Sequence, residues 1–277
     1  MSERRAVRAK EFPFLVAASG RRLLMVSILY KEENSKSCLR MAELFAKYNL
    51  RILSLFKQEL TEGSEWTFFL DVTETSGLEE WLEAMRKLPG VVDFYVSKPE
   101  ENMLTDVFHF PLTSRKGVRM VIFSAEMLSR TLGELYKVFG TGAQFITYRI
   151  GFDYGIDLGN HFRTLFFEVA GETPPPSQII DFFLRYNMSA GWQIIQEFKV
   201  SEEKGKIKAL VRTKELFEAS ARKKGAYASQ GEKAGCDLFR GMLAGLFTSL
   251  YGKEFRVWEV KCEGKGDPYC EFSIQQV

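Results

Sequence analysis

Histidine is nearly absent from this chain, with His109 and His161 the only two in 277 residues. With so few imidazoles, and no serine on a glycine-flanked elbow, the sequence offers no nucleophile–base pair for acyl transfer. Glycine-rich phosphate cradles are missing as well: "GTG" at Gly140–Gly142 and "GKG" at Gly264–Gly266 are too short for a nucleotide fingerprint. The acid pairs Glu32-Glu33, Glu79-Glu80 and Glu202-Glu203 fall on polar faces or loops, where solvated charge is the ordinary role. No catalytic residue is expected.

Charge of one sign is also lacking. Lys and Arg number 38 against 36 Asp and Glu, for a formal net charge of +2, and the two signs are interleaved. Nucleic-acid binding usually draws on a concentrated basic surface. Only Arg4, Arg5, Arg8 and Lys10 and the run Arg222-Lys223-Lys224 cluster here, and a solvated tail and loop account for both. Nucleic acid is therefore not an expected partner. No apolar run approaches the roughly 20 residues that span a bilayer, and the apolar part of "MSERRAVRAKEFPFLVAASG" is too short for a secretion signal. A cytoplasmic protein with no membrane partner is expected. In a reducing cytosol four cysteines point to metal-binding or buried roles rather than to a disulfide frame.

What is present is apolar material for two cores, with 45% hydrophobic residues. After a tail at 1–20, the first domain is expected over 21–98. "RRLLMVSILY" reads as a buried strand, and "KSCLRMAELFAKYNL" as a helix with Cys38, Met41, Phe45 and Tyr48 on one apolar stripe, stopped at Asn49. "RILSLFKQEL" and "WTFFLDV" are strands about a turn. "GLEEWLEAMRKL" is a helix with Leu78, Leu82, Met85 and Leu88 on one face, and "VVDFYVS" is the closing strand. The order β-α-β-β-α-β predicts a ferredoxin-like domain. With a helix ending just before "NLRILSL", it resembles an ACT domain, which implies a small regulatory module that pairs with a copy of itself. The loop "YKEENSKS" has no glycine to admit a ligand to the backbone, so dimerisation or docking is expected there rather than amino-acid binding.

"PEENMLTD" reads as a linker at 99–106, and 107–277 as a second α+β domain. "VRMVIFSAEML" suggests a strand leading into a helix capped by Ser124 and broken at Gly140/Gly142. The next helix carries Phe145, Tyr148, Phe152 and Ile156 on one stripe. A third follows Ser177, a candidate cap. Two β-rich runs about "SEEKG" form a hairpin, "CDLFRGMLAGLFTSLYG" a long apolar helix, and "EFRVWEVKC" and "YCEFSIQ" a last hairpin.

That hairpin holds Cys262 and Cys270 across "EGKGDPY", a disposition that presets half of a tetrahedral metal site. Glu259 can join them if the strand bulges near Lys261, because an i, i+3 pair in a regular strand points to opposite faces. Cys236, at the start of the apolar helix, completes the set, with Lys261, Lys265 and Arg240 near enough in sequence to offset its charge. Cys38, on its apolar stripe, reads as core. The spacing Cys236-x22-Glu259-x2-Cys262-x7-Cys270, with "GEKAGCDLFRGMLAGLFTSLYG" and "VIFSAEMLSRTLGELYKVFGTGAQFITYRIGFDYG", resembles the 4-vinyl-reductase-like sensor domain. The resemblance implies a structural zinc on Cys236, Glu259, Cys262 and Cys270. It also implies a small apolar or aromatic ligand and a homodimer that signals to a further protein.

Aromatic side chains are abundant, with 24 Phe, 10 Tyr and 4 Trp. Phe108, His109, Tyr148, Phe152, His161, Trp192 and Trp258 are the candidates to line the ligand cavity. Two other readings stay open. One is a reductase on a vinyl-bearing or similar apolar substrate, although no dinucleotide fingerprint is present. The other is a non-catalytic scaffold subunit of the trafficking-complex type.

Overall fold

The computed structural model describes residues 9–11, 14–31, 35–113, 118–223 and 235–277. Arg4, Arg5, Arg8 and Lys224 lie outside them, as does "GEKA" of the resemblance. The chain divides into two units, Met1–Leu112 and Thr113–Val277.

The first unit runs β1 (Leu15–Tyr30), α1 (Ser35–Lys47), β2 (Arg51–Leu60), β3 (Gly63–Asp71), α2 (Leu78–Arg86), β4 (Val91–Val96) and β5 (Glu100–Thr105). Its sheet has the order β2-β3-β1-β4, antiparallel throughout. The unbroken aliphatic run in β1 follows from burial on both faces of the sheet. Leu24, Val26, Ile28 and Tyr30 face α1 and α2, packing with Met41, Phe45 and Met85. Leu23 and Met25 point the other way, onto Phe69 and Leu104. Trp81, fully buried, centres the helical side, where the Phe45 ring lies 5.3 Å from it and 5.0 Å from Phe68. Burial of one such ring is worth about 2–3 kcal/mol. Asn49 ends α1 with φ 51, as its position suggests.

Three expectations for this half are corrected. Residues 15–20 are not tail but the start of β1, and Glu100–Thr105 is not linker but strand β5, with Leu15 paired to Thr105 and Val16 to Leu104. Only Leu104 of β5 is buried, so the segment has no alternation to read. Cys38 is half-buried rather than core, and Ser37 takes the buried place on that turn.

The second unit contains α3 (Ala125–Phe139), α4 (Thr141–Ala170), α5 (Pro176–Ser189), β6 (Ile194–Glu203), β7 (Lys206–Lys214), α6 (Phe217–Lys223), α7 (Asp237–Tyr251), β8 (Phe255–Lys261) and β9 (Cys270–Gln276). The antiparallel sheet has the order β6-β7-β9-β8. α7 is apolar on nearly every face because it is the central element. Phe239, Met242, Leu243, Leu246 and Phe247 are all 0% exposed, in one core with Phe183 of α5 and Phe272 of β9. Gly252, with φ 65, closes the helix.

The buried stripe of α4 is not the aromatic one. Thr147, Gly151, Gly155 and Gly159 are buried while Phe145 is 70% exposed. A Cβ at Gly151 or Gly155 would collide with the Leu238 or Met242 carbonyl oxygen. A Cβ at Gly241 or Gly245 of α7 would collide with the Tyr148 or Phe152 carbonyl. The two helices therefore touch backbone to backbone. Ser124 caps α3 by accepting from Met127 N, but no strand precedes it: Val118–Phe123 is irregular apart from an Arg119–Thr113 bridge. α5 begins with Pro176 at its first turn, so Ser177 is inside the helix rather than its cap.

Candidate metal centre and binding groove

Four side chains from α7, β8 and β9 meet at one end of the second sheet. The register of β8 against β9 slips between Glu259 and Lys261, and the extra residue turns Glu259 and Cys262 to the same side. Cys236 is the N-cap of α7, and Cys270 opens β9. One ligand atom from each of Cys236, Glu259, Cys262 and Cys270 lies within 4.8 Å of every other. The Cys236 and Cys262 sulfurs are 3.9 Å apart, close to the spacing of about 3.8 Å for two thiolates on a tetrahedral ion with 2.3 Å bonds.

The electrostatics describe a cluster that wants a cation. The cysteines are at most 1% exposed. Burial, with Cys262 beside it, pushes the Glu259 carboxyl up to about 7, and burial lifts the Cys236 thiol well above its ordinary value. Glu259 Oε2 accepts from Cys236 N at 3.0 Å, while its buried Oε1 has no hydrogen-bond partner among the described residues. A divalent ion would satisfy that oxygen and hold the thiols ionised, so the donor set fits one.

The surroundings are built to match. Glu263 N donates to Cys270 Sγ at 3.4 Å, and Asp267 Oδ2 accepts from Cys262 N at 2.8 Å. A Cβ on Gly235 would strike Glu259 Oε2, so a side chain here would push the Glu259 carboxyl group out of its present place. Glu218 of α6, which nothing in the sequence pattern singles out beyond an acid among Leu216, Phe217 and Ala219, accepts from Leu238 N and Phe239 N at 3.1 and 2.9 Å. Burial pushes its carboxyl up to about 8 against the pull of those two amides. Two of the three cations named to offset the cluster's charge, Lys261 and Arg240, are engaged elsewhere. Lys261 donates to the Tyr269 hydroxyl at 2.8 Å, and Arg240 pairs with Asp237 at 2.8 Å.

The seven candidate ligand residues do not share one cavity. His161 lines a groove of about 600 Å³ walled by Val118–Val121, by Tyr154, Leu158, Phe162 and Leu165 of α4, and by Phe182 and Tyr186 of α5. Asp157, one helical turn from His161, also faces it. Neither side chain makes a hydrogen bond or ion pair among the described residues, though the His161 ring lies 5.6 Å from that of Phe162. Trp192 supports the groove from behind, stacked on Tyr154 at 6.3 Å and edge-on to Phe217 at 5.2 Å. Tyr148, Phe152 and Trp258 line a separate cavity of about 400 Å³ with Arg240 and Arg256.

Phe108 and His109 belong to the first unit, a correction to their assignment beyond residue 106. Phe108 packs on Tyr95 with ring centroids 6.0 Å apart. His109 Nδ1 lies 2.9 Å from both Asp106 carboxylate oxygens, and its ring meets Phe56 edge-on at 5.1 Å. Its Nε2 is 3.2 Å from Glu65 Oε1 without forming a hydrogen bond, a contact that becomes an ion pair when the ring is protonated.

The V4R domain model matches residues 224–276, a span that holds all four clustered ligands. No curated protein matches the chain. Among solved structures it is similar to the phenol-responsive sensory domain of the transcription activator PoxR with phenol, at 17% identity and TM-score 0.49, covering 60% of this chain and 84% of that one. It is also similar to a trafficking protein particle complex subunit 3 from Naegleria fowleri covalently bound to palmitic acid, at 15% identity and TM-score 0.36, over 55% of this chain and 95% of that one. The C-terminal domain of the MgtC protein from Mycobacterium tuberculosis matches at 12% identity and TM-score 0.27, over 31% of this chain and 95% of that one. Among the described residues no helix is long and apolar enough to cross a membrane.

Proposed function

We propose that this chain is a cytoplasmic regulatory protein whose second unit senses a small apolar or aromatic molecule. The observation that carries the reading is the groove beside α4 and α5, an apolar channel with Asp157 and His161 free at its wall. A pocket of that size with few polar handles is the usual form of a small-molecule site. The V4R match supports the same reading through the sensor role that the resemblance implies. Cys236, Glu259, Cys262 and Cys270 hold zinc, which three thiolates and a carboxylate would bind as a closed tetrahedral cross-link with no position for an activated water. The first unit is a ferredoxin-like, ACT-type module that serves dimerisation or output to a downstream protein.

The test is direct. Small molecules released from the purified chain are identified by mass spectrometry, and their rebinding is measured by calorimetry to wild type and to Leu165→Arg. An apolar or aromatic compound that rebinds wild type, and is at least tenfold weaker on the variant, is the expected result. A redox cofactor in its place, or no released compound and no heat with a panel of small aromatics, rejects the sensor.

A further inference from the structure

Cys236 occupies the N-cap of α7, yet its side chain makes no capping hydrogen bond. A serine or aspartate at that position would accept from the amides two or three residues on. A cysteine turned to that task could not also present its sulfur to Cys262. The amides are satisfied from elsewhere, because the carboxyl group of Glu218 accepts from Leu238 N at 3.1 Å and from Phe239 N at 2.9 Å. Glu218 is 1% exposed, so these bonds to helix-end amides act without competing water. Its own helix is anchored: Ser129 Oγ donates to the Phe217 carbonyl at 3.3 Å, and Trp192 packs edge-on against the Phe217 ring.

We propose that Glu218 is a positioning residue of the metal centre, taking over the capping of α7 so that Cys236 is held at ligand distance with its sulfur free for the ion. The inference rests on reading the cluster as a metal centre. It assigns to α6, which supplies no ligand, the job of setting where one of the four ligands stands. Partners of this kind around a metal typically govern affinity by about 10- to 100-fold.

The experiment uses the full chain, stripped of metal under reducing conditions and titrated with Co²⁺ alone. The thiolate-to-cobalt charge-transfer absorbance counts bound cysteines, and near-ultraviolet circular dichroism reports folding of the same samples. Glu218→Ala is expected to weaken Co²⁺ binding about 10- to 100-fold. It should also lower the charge-transfer absorbance per bound ion by about a third, as one thiolate of three drops out. Glu218→Gln, which keeps one acceptor, should lose about tenfold. The proposal is overturned if either variant is folded and binds Co²⁺ with wild-type affinity and intensity. Should Glu218→Ala not fold, Glu218→Gln decides by the same criterion. A different outcome strikes the underlying reading: a wild-type chain that develops no band, or one that Cys262→Ser leaves unchanged, removes the metal centre and this inference with it.

Discussion

At the scale of single residues, the histidine of the first unit carries a pH dependence that its neighbours fix in sign. The bond to Asp106 raises the His109 pKa, burial opposes it, and the nearby Glu65 charge adds to the rise. Burial works against the Asp106 and Glu65 carboxylates too. Even so, bonds from His109, Gln58, Ser27 and the Phe108 amide hold both below their ordinary values. A raised histidine stabilises the fold fully below its unfolded value of about 6.5, and that contribution is lost as pH rises through the folded value. Lowered carboxylates contribute above their unfolded values of about 4 and lose that contribution on acidification. The cluster is therefore worth most between those limits. Asp106→Asn should destabilise the first unit by about 1–2 kcal/mol near pH 5.5 and by much less near pH 9. Urea unfolding at the two pH values measures it, and an equal loss at both would mean that the histidine charge plays no part.

At the scale of elements, the contact between α4 and α7 is set by glycine rather than by the aromatic side chains that dominate α4 to the eye. A methyl group at Gly245 meets the Phe152 carbonyl, with backbone on both sides and no flexible side chain to give way. Gly245→Ala should cost about 3 kcal/mol or more, because the helices must separate. Gly142→Ala, on the same helix as Gly155 but with only Phe139 Cβ near, should be neutral or stabilising by about 0.5–1 kcal/mol. Thermal unfolding of both variants checks the pair, and equal effects would remove the close-packing account. This contact also marks where sequence stops being legible. Asn49, Gly252 and Ser124 announce helix ends because each meets a local demand of φ or capping. Cys236, Glu259, Cys262 and Cys270 stand out because metal donors are chemically rare and their spacing is restrictive. The buried face of α4 cannot be read from hydrophobicity, since its middle is three glycines and their partner is largely backbone. β5 hides for a related reason: its strand character comes from hydrogen bonds to β1, not from a side-chain period. Scattering of Phe108, His109, Tyr148, Trp192 and Trp258 over different places has the same origin, for aromatic residues pack alike in a core, a groove wall or an outer cavity.

At the scale of the whole molecule, two units with separate cores should lose stability separately. The first has a core closed by Trp81, Phe68 and the β1 aliphatics, with no cluster of metal donors among its described residues. The second places three buried thiols and a carboxylate with an unpartnered Oε1 where its central helix meets its last hairpin. Without a cation, that junction holds an unpartnered carboxyl oxygen in a dry setting, and the hairpin is tied to α7 only by packing such as Phe239 on Phe272 and by the Cys236 amide's bond to Glu259. A metal bound a thousandfold above its dissociation constant adds about 4 kcal/mol to the folded state. For a unit of this size that corresponds to a rise in Tm of about 10 °C. Calorimetry with a strong chelator and a thiol reductant should therefore move one of two transitions down by that amount. Adding back Zn²⁺ should restore it, with release of protons from the cysteines. Cys270→Ser should behave like the chelated protein and be insensitive to Zn²⁺. If the chelator shifts both transitions together, or neither, the ion is not what ties α7 to the last hairpin, and core packing such as Phe239 on Phe272, with the Cys236–Glu259 bond, holds that junction.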